Sequence, residues 1–242
     1  MKLIILLIIF PILHFAQLSP EVKNLYQQIS KGEKAESSHT GMEGTESELY
    51  KLHKKLDEIA NDKEVEYIAF NGNPVAKYYA ANILFNRKSK SIEKIFEYYL
   101  KSKDSVQTLK GCVGGVSRLD YELYINVISE KQTIDAMQWE KKWKDSMITS
   151  GKQNSPEYLG LVDMLNTKTI WTKKDVDSLA YRLEQTTLNN HDASKKLIEL
   201  ICFRYLHENK KVPYYGKIAY FDKKYSSEYI KKYLRFCRFG LK

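Results

Sequence analysis

Turn-forming residues are scarce here: the chain holds five prolines and eleven glycines in 242 residues. That poverty excludes a turn-rich all-β sandwich, and no collagen-like or low-complexity repeat is present. Arginine is scarcer than its partner cation, six against 33 lysines. Arg supplies the bidentate forks that read phosphates, so a specific nucleic-acid partner is not expected. After the first sixteen residues no apolar run approaches the ~20 residues that cross a bilayer, so no integral membrane segment is expected in the processed chain. Catalytic signatures are missing too. There is no G-x-S-x-G, phosphate loop or dinucleotide fingerprint, and His207-Glu208 runs on into Asn209-Lys210-Lys211 rather than completing H-E-x-x-H.

What is present suffices for a core: 43% hydrophobic and 12% aromatic residues rule out wholesale disorder. Residues 1–16 form a separate object. Lys2 gives a positive start, Leu3 to Phe10 are uninterruptedly apolar, Pro11 breaks the run, and Ala16 precedes Gln17 as a cleavage point. This is the pattern of a secretory signal peptide, except that His14 stands where a small residue is usual. The expected location is therefore periplasmic or extracellular.

Charge is unevenly spread. Residues 17–209 carry 28 basic and 28 acidic side chains, whereas residues 210–242 carry ten basic ones against Asp222 and Glu228. The whole excess of the processed chain, +8, sits in this last segment. It interleaves lysines and arginines with Tyr214, Tyr215, Tyr220, Phe221, Tyr225, Tyr229, Tyr233, Phe236 and Phe239. Lys223, Lys224, Lys231, Lys232, Arg235 and Arg238 are the candidate residues for an acidic surface or polymer. The competing reading is a closing helix that packs its aromatic face inward and leaves its cations in water. Tyr229, Ile230, Tyr233, Leu234 and Cys237 share one side, which favours packing.

The chain otherwise reads as helix after helix. Ser19-Pro20-Glu21 is a helix start, and that helix stops near Gly32. Residues 32–47 hold three glycines, four acids and one long apolar side chain, Met42, which predicts a flexible linker. Apolar stripes then follow at helical spacing: Leu49, Leu52, Leu56 and Ile59; Val65, Ile68 and Ala69; Ala76, Tyr79, Ala80, Ile83 and Leu84; Ile92, Ile95, Phe96, Tyr99 and Leu100. Gly111 to Gly115 break the rhythm, and Ser117 is a cap for a helix over Tyr121 to Ile128, where a strand is the alternative. Trp139, Trp143 and Met147 line a further helix, and Pro156 restarts the chain with Tyr158, Leu161, Val162 and Leu165 facing inward. Thr172 with Asp175 nearly matches a capping box. Asp192 and Ser226 are the expected starts of the last two helices, the second following Pro213 and Gly216. The fold class predicted is all-α, a superhelix-like stack of short helices. Its organisation is a signal peptide over 1–16, an N-terminal helix and flexible linker over 17–47, and a helical domain over 48–242 with a basic aromatic end.

One stretch adds a likeness. Asn73-Pro74-Val75-Ala76-Lys77-Tyr78-Tyr79-Ala80-Ala81-Asn82-Ile83-Leu84 resembles the second-helix start of HEAT-like repeats, with lysine at Lys77 where such repeats often have arginine. The following helix, Asp104 to Thr108, Gly111-Cys112 and the next apolar helix resemble an uncharacterised exported bacterial HEAT-like group, over roughly residues 50–128. The resemblance implies a helical stacking surface, and it carries no catalytic residues.

Three cysteines allow at most one internal disulfide. Cys202 and Cys237 could pair, but the expectation is that Cys112, Cys202 and Cys237 are small buried hydrophobes. A metal site using Cys202, His207 and His191 meets poor geometry, because residues five apart on a helix lie about 140° apart. Cys112 as a nucleophile competes with a blander role filling a tight glycine joint between helices. No cofactor and no metal is expected. The leading expectation is a non-enzymatic binding or scaffold module whose partner is another protein, acting as an inhibitor or neutraliser of that partner. The alternatives are an envelope-polymer hydrolase and a binder of acidic polymers through residues 210–242.

Overall fold

The computed structural model describes residues 18–165, 169–211 and 214–240. The expected signal peptide and Pro213 lie outside these residues. Eleven helices and four strands follow one another in the described chain. They are α1 (Pro20–Ile29), β1 (Ala35–Thr40), β2 (Thr45–Glu46), α2 (Glu48–Ile59), α3 (Asp62–Asn71), α4 (Pro74–Asn86), α5 (Ile92–Ser102), β3 (Ser105–Gly111) and β4 (Val113–Arg118). Then come α6 (Leu119–Thr149), α7 (Pro156–Leu165), α8 (Lys173–Asn189), α9 (Lys195–His207), α10 (Tyr215–Tyr225) and α11 (Glu228–Phe239).

Local chemistry explains most helix starts. Pro20 and Pro74 occupy first-turn positions where the missing N–H costs nothing. Asn61 and Glu64 form a reciprocal capping box ahead of α3. Asn73 accepts from the Ala76 N–H, and Thr172 from the Asp175 N–H. Two expected caps move. Ser194, not Asp192, caps α9 by accepting from the Leu197 N–H, while Asp192 pairs with Lys103 and Lys224. Ser226 ends α10 in a left-handed conformation with φ of 48°, so α11 begins after Ser227. Gly72 closes α3 because a Cβ there would lie 2.7 Å from the Ile68 carbonyl oxygen.

The purely all-α expectation is corrected by a four-stranded mixed sheet in the order β2-β1-β3-β4. Residues 32–47, expected as a flexible linker, supply β1 and β2. β1 runs parallel to β3, with Ala35 opposite Thr108 and Glu36 opposite Leu109. Its sequence, Ala-Glu-Ser-Ser-His-Thr, has no apolar alternation, so it is ordered from outside rather than by its own burial. The Tyr79 hydroxyl bonds both backbone groups of Glu36, the Ser47 hydroxyl donates to the Glu36 carboxylate, and the Gly111 N–H donates to the Ser37 hydroxyl. Residues 111–115 are likewise not a joint between helices. Gly111, at φ of 58°, turns β3 into β4, and Ser117 is a buried strand residue rather than a helix cap.

α6 continues for 31 residues where two helices were expected. Leu119, Leu123, Tyr124, Val127 and Ile128 bury its first half against α4, α5 and α8. On its second half Asp135 pairs with Lys173 of α8, and Trp139 and Trp143 are 63% and 41% exposed. The core runs from Val22 through α3–α5 to Phe236, and within it the fully buried Tyr99 hydroxyl lies 3.0 Å from both the Ala69 and Lys77 carbonyl oxygens. Lys77 extends past it to Asp104 at 2.6 Å.

A buried ionic knot ties α6, α8 and α9 together and fixes the position of the C-terminal helices. Glu184 is fully buried and accepts from Arg204 and from the hydroxyls of Tyr124 (2.7 Å) and Tyr205 (2.5 Å). Arg204 continues to Glu208 at 3.1 Å, and Glu208 approaches Lys131 at 3.7 Å. Burial pushes the Glu184 carboxyl up from its ordinary range, and the Arg204 charge opposes that shift.

Candidate functional site

The six candidate cations lie on two helices and do not form one patch. α11 is amphipathic, and Ile230, Tyr233 and Phe236 bury one side against α9 and α10. Its other side carries Glu228, Lys232, Arg235 and Phe239, which recur at i, i+4, i+7 and i+11 and so make one stripe. Lys223 and Lys224 end α10, and Lys224 is held by Asp192 at 3.6 Å and by the His191 carbonyl. Lys231 and Arg235 approach Glu228 at 3.0 and 3.6 Å, and the Lys231 hydrogen bond holds the Glu228 carboxyl below its usual range. Arg238 lies over the Phe239 ring at 5.8 Å. Among the described residues, Lys223 and Lys232 make no ion pair.

α11 is flanked by two hollows that share Arg235. The smaller, about 280 Å³, faces α10 and is lined by Tyr215, Asp222, Lys231, Leu234, Arg235, Arg238 and Phe239. The larger is a groove of about 650 Å³ between α9 and α11. Leu206 and Phe236 form its apolar wall, Lys232 and Arg235 with Glu228 its charged rim, and Phe239 and Gly240 its end. Aromatic surface continues beyond it: Phe203 packs against His207 at 4.1 Å and edge-on to Tyr229 at 6.5 Å. Phe203, Tyr229 and Phe239 are 45%, 56% and 69% exposed, so this side of the helix pair is open apolar surface.

Part of this groove was invisible in the sequence. Phe203 falls off the stripe that packs α9 into the core, and Leu206 belongs with the inward residues by spacing. Tyr229, grouped with the packed face, is instead more than half exposed. The packed-helix reading holds for Ile230 and Tyr233 and in part for Leu234 and Cys237, Phe236 is buried although it lies outside that group, and Lys232, Arg235 and Phe239 line the open side.

The other candidates are not brought together. Cys202 is buried and burial pushes its thiol well up, while His207 lies on Phe203 and His191 stacks on Tyr220 at 4.5 Å. Cys112 is exposed at the β3–β4 turn, where its thiol donates to the Gly41 carbonyl at 3.2 Å, so it does not fill a buried gap. All three cysteines are free. Among the described residues no group of three or more His, Cys, Asp or Glu is placed to hold a metal ion, and no helix is long and apolar enough to cross a membrane. Comparison with family models, with curated proteins and with solved structures finds no match in any of the three.

Proposed function

We propose that this chain is an exported, HEAT-like helical module that binds another protein through the open side of α9 and α11. The observation that carries the reading is the exposure of Phe203, Tyr229 and Phe239 around a groove of about 650 Å³. Stacked helical repeats need a polar outer face where the stack ends, because an apolar one invites association. Here the outer side of the last helix carries Tyr229 and Phe239 among its charged residues. Export rests on residues 1–16, and the HEAT-like character on the Asn73–Leu84 pattern and on the capped, successive helices α3 and α4.

Site-specific photocrosslinking tests this reading. A benzophenone amino acid is placed at position 203 or 229, and as a control at the exposed Tyr181 of α8, in cells that make the protein. A discrete protein adduct from 203 and 229 but not from 181 is the expected result. Equal adducts from all three positions would show unspecific encounter and overturn the assignment of this face.

A further inference from the structure

We infer that the occupant of the α9–α11 groove is an amphipathic helix of the partner protein, apolar on the face it inserts and acidic along its margins. The inference rests on the reading of α9–α11 as the docking face and specifies what docks there.

The backbone decides the shape of the occupant. Both walls are helices, so apart from the last carbonyls at their C-terminal ends the groove offers no free ladder to an extended peptide. An extended occupant would bury its own backbone groups without partners. A helix satisfies its backbone internally and brings only side chains. The lining residues of α11 run from Glu228 to Gly240, about 18 Å or roughly three helical turns, and Leu206 lines the groove from the end of α9. Apolar side chains on one face of such a helix would meet Leu206, Phe236 and Phe239.

Charge decides the composition of the margins. Lys232 has no ion pair among the described residues, and Arg235 reaches its one partner, Glu228, only at 3.6 Å. Glu228 is already engaged by Lys231 at 3.0 Å, so the rim offers two cations and no unengaged anion. The surrounding segment, residues 210–242, carries ten basic and two acidic residues. Basic margins on the occupant would meet Lys232 and Arg235 as like charges, which selects against them.

Three fluorescent peptides of about 18 residues test the inference on the processed full chain. One has Leu and Phe on one face with Glu at the margins, the second replaces each Glu by Lys, and the third scrambles the first. The acidic amphipathic peptide should bind at least about ten-fold more tightly than either of the others. Lys232→Glu with Arg235→Glu should erase or invert its advantage over the basic peptide. Phe239→Ala should weaken it about five-fold, and because this ring is 69% exposed the melting temperature should hold.

Equal binding of the scrambled peptide would mark an acidic-polymer surface and overturn the helix. Equal binding of the basic peptide would overturn the charge selection. If none of the three binds while site-specific adducts still form at 203 and 229, the helix is refuted and the docking face stands. If the adducts fail as well, both fall.

Discussion

The Tyr79 hydroxyl accepts the Glu36 N–H at 2.7 Å and donates back to the Glu36 carbonyl at 2.8 Å. One phenol on α4 thereby holds both polar backbone groups of a residue on β1. Tyr79→Phe leaves the ring and removes the clamp. Two partly buried backbone groups then lose partners, at a cost of about 1–3 kcal/mol. Hydrogen exchange over 35–40 should accelerate while α9 is unaffected. Unchanged exchange in β1 would show that pairing with β3 is sufficient.

The same ring stacks on His53 at 4.7 Å, and both ring nitrogens of His53 are buried with no hydrogen-bond partner among the described residues. Burial lowers its pKa from 6.5 to about 4, with Asp57 opposing and Lys54 adding to the shift. Tyr50 covers its other side. Because the folded pKa is depressed, the unfolded chain binds more protons between about pH 4 and 6.5. This contribution is complete above pH 6.5 and is lost as pH falls toward 4, to a total of roughly 3 kcal/mol at ~1.4 kcal/mol per unit. Urea melts of the wild type and of His53→Phe, at pH 7.5 and pH 4.5, check it. The variant should lose less stability on acidification, and equal losses would refute the role of His53.

Glu184 and Arg204 make the ionic knot a stringent test of coupling. Glu184→Leu alone leaves a buried guanidinium whose remaining carboxylate is Glu208, and should cost about 3–5 kcal/mol. Glu184→Leu combined with Arg204→Met should recover a substantial part, since Glu208 keeps Lys210 at 3.0 Å and Lys131. Additive losses in chemical denaturation would mean that the two side chains act independently.

The three thiols should separate by exposure. Cys112 is exposed, Cys237 half-buried and Cys202 buried with its thiol pushed up. A thiol reagent should therefore modify one site quickly in native protein and three after denaturation. Cys112→Ser should abolish the fast phase. A denatured titre of one thiol would reveal a Cys202–Cys237 disulfide.

Helices were legible residue by residue because their information is local. Pro20, Asn73 and Thr172 act within one turn, and a stripe such as Ile92, Ile95, Phe96, Tyr99 and Leu100 states which side turns inward. The segregation of positive charge into residues 210–242 is equally a property of composition. The sheet is not local in this sense. β1 has Ala35 as its single apolar residue and β4 has two adjacent glycines, so neither shows the alternation of a self-burying strand. β4 is ordered by pairing with β3, and β1 by β3 together with Tyr79 and Ser47, which come near only when α4 and α2 are in place. The groove is a further step removed. Whether Phe203, Tyr229 and Phe239 face protein or water depends on where α9, α10 and α11 meet, and helical spacing cannot tell an unfilled face from a filled one. Which rings stay open is thus set by the packing of three helices against a buried Glu184–Arg204 pair.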